Sequence, residues 1–122
     1  REFIVANHHL IVSGALVAAL NSAPVQAELT GIGLKEVCDS SELACISYVR
    51  GFIEGVGIRG LMLMGPENFR MPWCATPQVT VQQMTLVVEK YLSDHPESLD
   101  KPGNTLTYIA LETAFPCEGE LK

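Results

Sequence analysis

Cysteines at positions 38, 45, 74 and 117 constrain this 122-residue chain more than any other feature. They are separated by seven, twenty-nine and forty-three positions, and none forms the C-x-x-C pair of a thioredoxin-like redox site or of most zinc modules. Beyond residue 27 the only histidine is His95, so a zinc site is not expected. An even number of cysteines in a small exported domain reads as two disulfides, which supply stability that a modest core lacks.

The start of the chain gives the export context. "HLIVSGALVAAL" is an apolar run, followed by the polar, Pro-containing "NSAPVQA". The run is too short to span a bilayer. With Val25 and Ala27 at the -3 and -1 positions, residues 1–27 read as a secretory signal cleaved after Ala27. Residues 28–122 are then one exported mature domain, with no segment inserted in the membrane. The net charge is -6, without a Lys/Arg cluster, so nucleic acid is not an expected partner. The acidic balance suits solubility or a basic protein partner.

Within the mature chain the apolar positions recur at helical spacing. A short helix is predicted over 32–39, entered through Gly31 and Gly33. Ser40 or Ser41 then caps a second helix, with Glu42 in its first turn. Leu43, Ile46, Val49, Phe52, Ile53 and Val56 mark the buried face of that helix. Gly51, Gly55, Gly57 and Gly60 weaken it, so its end is expected between 57 and 64. The Gly51-to-Gly55 spacing predicts close approach by another helix. Residues 60–79 carry prolines and no sustained period and read as a long connection. "TVQQ" is a capping box, with Thr80 as N-cap and Gln83 reaching back, and Val81, Met84, Val88, Tyr91 and Leu92 continue the helix to about Ser93. Asp100 is expected to cap a last helix with Pro102 in its first turn, burying Leu106, Ile109, Ala110 and Ala114 and stopping at Phe115-Pro116. No segment shows strand alternation. The fold class is all-α: a small four-helix bundle stapled by two disulfides.

In an up-and-down bundle Cys38, ending one helix, faces Cys45, starting the next. Cys74, before the third helix, lies near Cys117, after the fourth. The pairing 38–45 with 74–117 follows if the 60–79 connection stays at its own end of the bundle; 45–74 with 38–117 follows if it doubles back.

Catalysis has little support. Pairing all the cysteines leaves no thiolate for Cys–His hydrolysis. His95 lies in the turn "SDHPES", where a lone histidine is usually solvated. Glu54 and Glu112 form at most a weak carboxylate pair, and "GFIEGVGIRG" lacks the strand and the G-K-[ST] ending of a phosphate loop. No catalytic residue, metal or cofactor is assigned, and the chain is read as a non-enzyme. What remains is a binding surface in "LMLMGPENFRMPW". Leu61, Met62, Leu63 and Trp73 are expected to fold back onto the core. The polar tip Pro66, Glu67, Asn68, Phe69 and Arg70 is the candidate partner-binding segment.

The frame formed by "C…C-x-x-Y-x-x-G", "C-x-x-P-x-V-T-x-x-Q", "YL…HPE" and "AL-x-x-AFPC" resembles the Tai/Rap immunity protein family over most of 34–117. Its members are small exported helical proteins that protect bacteria against type VI secretion amidase toxins. The matching positions Cys38, Cys45, Tyr48, Gly51, Cys74, Pro77, Gln83, Pro116 and Cys117 are fold determinants. The resemblance implies a periplasmic protein, a homodimer, whose protruding loop blocks the active-site cleft of a cognate peptidoglycan amidase toxin. The alternative is a periplasmic binding or acid-stress chaperone-like helical module without a toxin partner, motivated by the methionines and the acidic content.

Overall fold

A computed structural model describes residues 28–118; the signal segment expected at 1–27 lies outside them. The architecture is all-α. Helices α1 (Gly31–Ser40), α2 (Glu42–Met64), α3 (Val81–Asp94) and α4 (Gly103–Ala114) follow in order, with a short 3-10 turn at Pro96–Ser98. Among the described residues no strand forms, and the only β-type pairing is an isolated bridge between Thr30 and Pro102.

Local capping sets most helix starts. Thr30 accepts from the Gly33 amide, one residue before α1 and two before the predicted start. Of the two candidate serines, Ser41 caps α2 by accepting from the Ala44 amide at 3.2 Å. At α3 the Gln83 amide donates to Thr80 Oγ1 at 3.1 Å while the Thr80 amide donates to Gln83 Oε1 at 2.8 Å, completing the predicted capping box.

Two boundaries differ from expectation. α2 continues through all four of its glycines to Met64, so the long connection is residues 65–80 and not 60–79. Each glycine costs a helix up to about 1 kcal/mol, which the packing of Phe52, Ile53 and Val56 on the core offsets. At the other boundary, Asp100 does not cap α4. The helix begins at Gly103 behind Pro102, without a side-chain cap. Residues 99–103 are instead tied to the start of α1: the Gly31 amide donates to Lys101 O, the Ile32 amide to Leu99 O and the Gly103 amide to Leu29 O at 2.7 Å.

The core gathers Leu34 from α1, Val49 from α2, Val88 and Leu92 from α3, and Leu106, Ala110 and Leu111 from α4. Burying a large apolar side chain stabilises by about 1.5–3 kcal/mol, so these few residues carry much of the fold. α4 packs most extensively on α3, and α1 touches all three other helices. Three expected core members are exposed: Leu43 in the first turn of α2, Ala114 in the last turn of α4, and Ile46 in part. Leu111 takes the place assigned to Ala114. No helix approaches α2 at Gly51 and Gly55, where an added Cβ would meet nothing within 4 Å. The close approach predicted there is absent from the described residues.

Both disulfides follow the first of the two pairings. Cys38–Cys45 closes the α1–α2 turn with Cα atoms 4.6 Å apart, and Cys74–Cys117 joins the residues flanking the α3–α4 pair with Cα atoms 4.9 Å apart. The Cys74 amide donates to Phe115 O at 2.8 Å, so the 65–80 connection stays at its own end. Chain-entropy arguments assign ~2.5 kcal/mol to the short loop and ~4 kcal/mol to the long one. Replacing Cys74 and Cys117 by alanine, which puts no hydroxyl into the core, should therefore lower the urea unfolding midpoint more than replacing Cys38 and Cys45 by alanine, each compared with the oxidised parent.

Candidate partner-binding surface

The 65–80 connection is held at both ends and free between them. α2 stops at Gly65, whose φ of +77° is a conformation that side-chain-bearing residues rarely adopt, and whose amide donates to Leu61 O. Asn68 and Phe69 turn their amides back to Gly65 O, and Asn68 Nδ2 reaches Met64 O at 3.2 Å. At the far end Trp73, only 4% exposed, stacks near Phe52 and meets Tyr108 edge-on, one residue before the Cys74 crosslink.

Between these anchors Pro66, Glu67, Asn68 and Arg70 are exposed and Phe69 is half-buried. Arg70 bends back, Nη1 donating to Phe69 O at 2.8 Å and to Glu67 O at 3.4 Å. Those bonds brace the tip and leave the charge at the surface. Phe69 does not project outward. Its ring lies over Gly60 so closely that a methyl group there would overlap it. The segment chosen from sequence is thus one continuous surface feature, with four exposed members and one aromatic anchor.

The apolar residues before the tip behave differently from expectation. Trp73 is in the core, but Leu61, Met62 and Leu63 are exposed, Met62 by 82% and Leu63 by 73%. They stand on the last turns of α2, which point beyond the core because α2 is longer than its partner helices. Only tertiary structure decides this, since their sequence pattern suits either role. A depression of about 280 Å³ lies between α2 and α4 and is lined by Phe52, Val56, Asn104, Thr105 and Tyr108. Its residues come from separate stretches of chain and carry no motif that sequence reading finds.

The candidate chemical groups are dispersed. His95 ends α3, its ring 4.2 Å from Tyr91 and its Nδ1 3.0 Å from Glu97 Oε1. The Glu97 carboxyl lies below its ordinary range, held there first by a backbone amide and then by His95. That is the geometry of a turn stabilised by its own side chains. The Tyr48 hydroxyl is shifted up chiefly by burial, with a smaller opposing effect from Thr107. Glu54 and Glu112 are both exposed. Among the described residues, Cys38, Cys45 and Glu89 are the one grouping with metal-ligand atoms close together. Both sulfurs there are consumed in a disulfide, and thiolate is the form that binds metal.

Within the described residues no helix is long and apolar enough to cross a membrane. No curated protein and no solved structure matches the chain. Residues 30–117 match the family of Rap1a immunity proteins, and the chain belongs to that family, a type VI secretion immunity family. The matched span begins at the Thr30 cap and ends at Cys117, so it contains the whole four-helix unit and both crosslinks.

The contact between Phe69 and Gly60 makes a specific expectation. Gly60→Ala should push the ring off α2, lower stability by about 1–3 kcal/mol and increase amide exchange at residues 66–70. At Gly57 the nearest atom is Met71 Sδ at 4.0 Å. Gly57→Ala should instead stabilise by about 0.5–1 kcal/mol. Paired thermal melts and hydrogen exchange distinguish the two.

Proposed function

We propose that this immunity protein acts in the periplasm by binding a cognate peptidoglycan amidase toxin and occluding its active-site cleft with the 66–70 tip. The homodimeric state implied by the resemblance is part of the same reading. The observation that carries it is the family match over 30–117, combined with a polar tip fixed between Gly65 and the Cys74–Cys117 crosslink. A plug must keep its shape without support from the cleft, because ordering a floppy loop on binding subtracts from affinity. Here the tip's own backbone bonds, the Arg70 brace and the Phe69 anchor perform that ordering in the free protein. Inhibition by occlusion asks for no catalytic group. Two disulfides are consistent with an exported protein, in a compartment where such bonds persist.

The test is inhibition of an amidase encoded beside this gene, measured as release of muropeptide ends from purified peptidoglycan. The oxidised protein should abolish release at equimolar ratio. Glu67→Ala, which removes no side-chain hydrogen bond of the tip, should weaken inhibition by up to about tenfold with the melting temperature unchanged. An amidase that the protein neither binds nor slows would remove this reading.

A further inference from the structure

The two disulfides differ in what surrounds them. Cys38 and Cys45 both lie within helices, in α1 and α2, and are 8% and 0% exposed. They belong to the core cluster that includes Leu34, Val49 and Val88. The Glu89 carboxylate stands within 4.8 Å of both sulfurs, and the same side chain lines the groove between α2 and α3. Disulfide exchange begins with attack by a thiolate, so it depends on access to a sulfur. Here access is closed by packing, and a carboxylate at the groove repels an incoming anion.

Cys74–Cys117 is placed in the opposite way. Both residues stand outside the helices, with Cys74 exposed and Cys117 half-buried. Thr76, Pro77, Pro116 and Glu118 beside them are exposed as well. The chain around Cys74 is irregular throughout the 65–80 connection, so a protein dithiol can reach its sulfur without unwinding a helix. The reachable bond is also the one that holds the connection. Without it, the far end of 65–80 rests on the buried Trp73 and on the hydrogen bond from the Cys74 amide to Phe115 O.

We propose that Cys74–Cys117 is a thiol–disulfide exchange site that a protein dithiol opens in the folded molecule, while Cys38–Cys45 stays closed. One thiolate of the dithiol attacks Sγ of Cys74. The S–S bond breaks, and its electron pair leaves on Sγ of Cys117, which takes up a proton. The second thiol of the dithiol then attacks the mixed disulfide, frees Cys74 as a thiol and departs as a disulfide. Two electrons and two protons have then moved from the dithiol to the cysteine pair, and an oxidised partner reverses the reaction. Redox state thereby sets how firmly the 66–70 tip is held, whatever the tip binds.

The test incubates the full oxidised chain in native buffer with dithiothreitol and, separately, with reduced thioredoxin, followed by alkylation and peptide mass spectrometry. Cys74 and Cys117 should be labelled at least ~100-fold faster than Cys38 and Cys45 with either reagent. Urea kept below the unfolding transition should leave that rate nearly unchanged. It should speed labelling of Cys38 and Cys45, because only the buried bond requires the chain to open first. In the singly opened protein, amide exchange over 71–80 should rise about tenfold with helicity retained. Labelling of all four cysteines together, or of Cys38 and Cys45 first, would overturn the proposal. So would a Cys74–Cys117 rate that climbs with urea as the buried pair does. Reaction with dithiothreitol but not with thioredoxin would overturn the protein dithiol as partner, and unchanged exchange over 71–80 would overturn the link to the connection.

Discussion

The crosslink between Cys74 and Cys117, reinforced by the Cys74 amide on Phe115 O, is the contact on which the rest of the molecule depends. It fixes the start of α3 beside the end of α4 and so makes those helices antiparallel neighbours. It also gives the 65–80 connection a fixed far end. With Trp73 buried one residue earlier, the connection cannot drift across the bundle, and its polar tip is presented from a defined base. A domain of this size has a small core, so a covalent clamp worth ~4 kcal/mol is a large part of a total of 5–15 kcal/mol.

The second disulfide has a more local task. Cys38 and Cys45 are both in the core, so the turn they close packs as part of the interior. Ser41 sits inside that turn and begins α2. Crosslink and cap therefore act on the same few residues and set the direction in which the longest helix leaves. From there α2 runs past the core, placing the Phe69 dock and the exposed apolar turns along one rod.

Local chemistry was legible in the sequence. Thr80 and Gln83 announce α3 because a capping box involves residues three apart, and the cysteine positions in a four-helix bundle narrow the pairing to two arrangements, between which the course of the 65–80 connection decides. Features set by distant contacts were not. Asp100 resembles an N-cap, but residues 99–103 pair with residues 29–32, and α4 starts only at the last of them, Gly103. The glycines of α2 suggest an early end because propensity is local, whereas the packing that carries the helix to Met64 comes from other elements. Leu61, Met62 and Leu63 suggest core for a similar reason: an apolar residue does not reveal whether anything stands opposite it. The tip residues 66–70 were legible as a polar turn. That Phe69 anchors it on Gly60 was not, since the contact requires the loop to fold back on α2.

The central claim is that the 66–70 tip, held by its anchors, enters the amidase cleft. Hydrogen exchange of this protein with and without the neighbouring amidase tests it most directly, read at peptide resolution over residues 60–80. The account predicts slowed exchange confined to the tip and the adjoining end of α2, together with protection of the amidase around its catalytic residues. Protection centred on α1 or α3, with the tip exchanging as in the free protein, would contradict it.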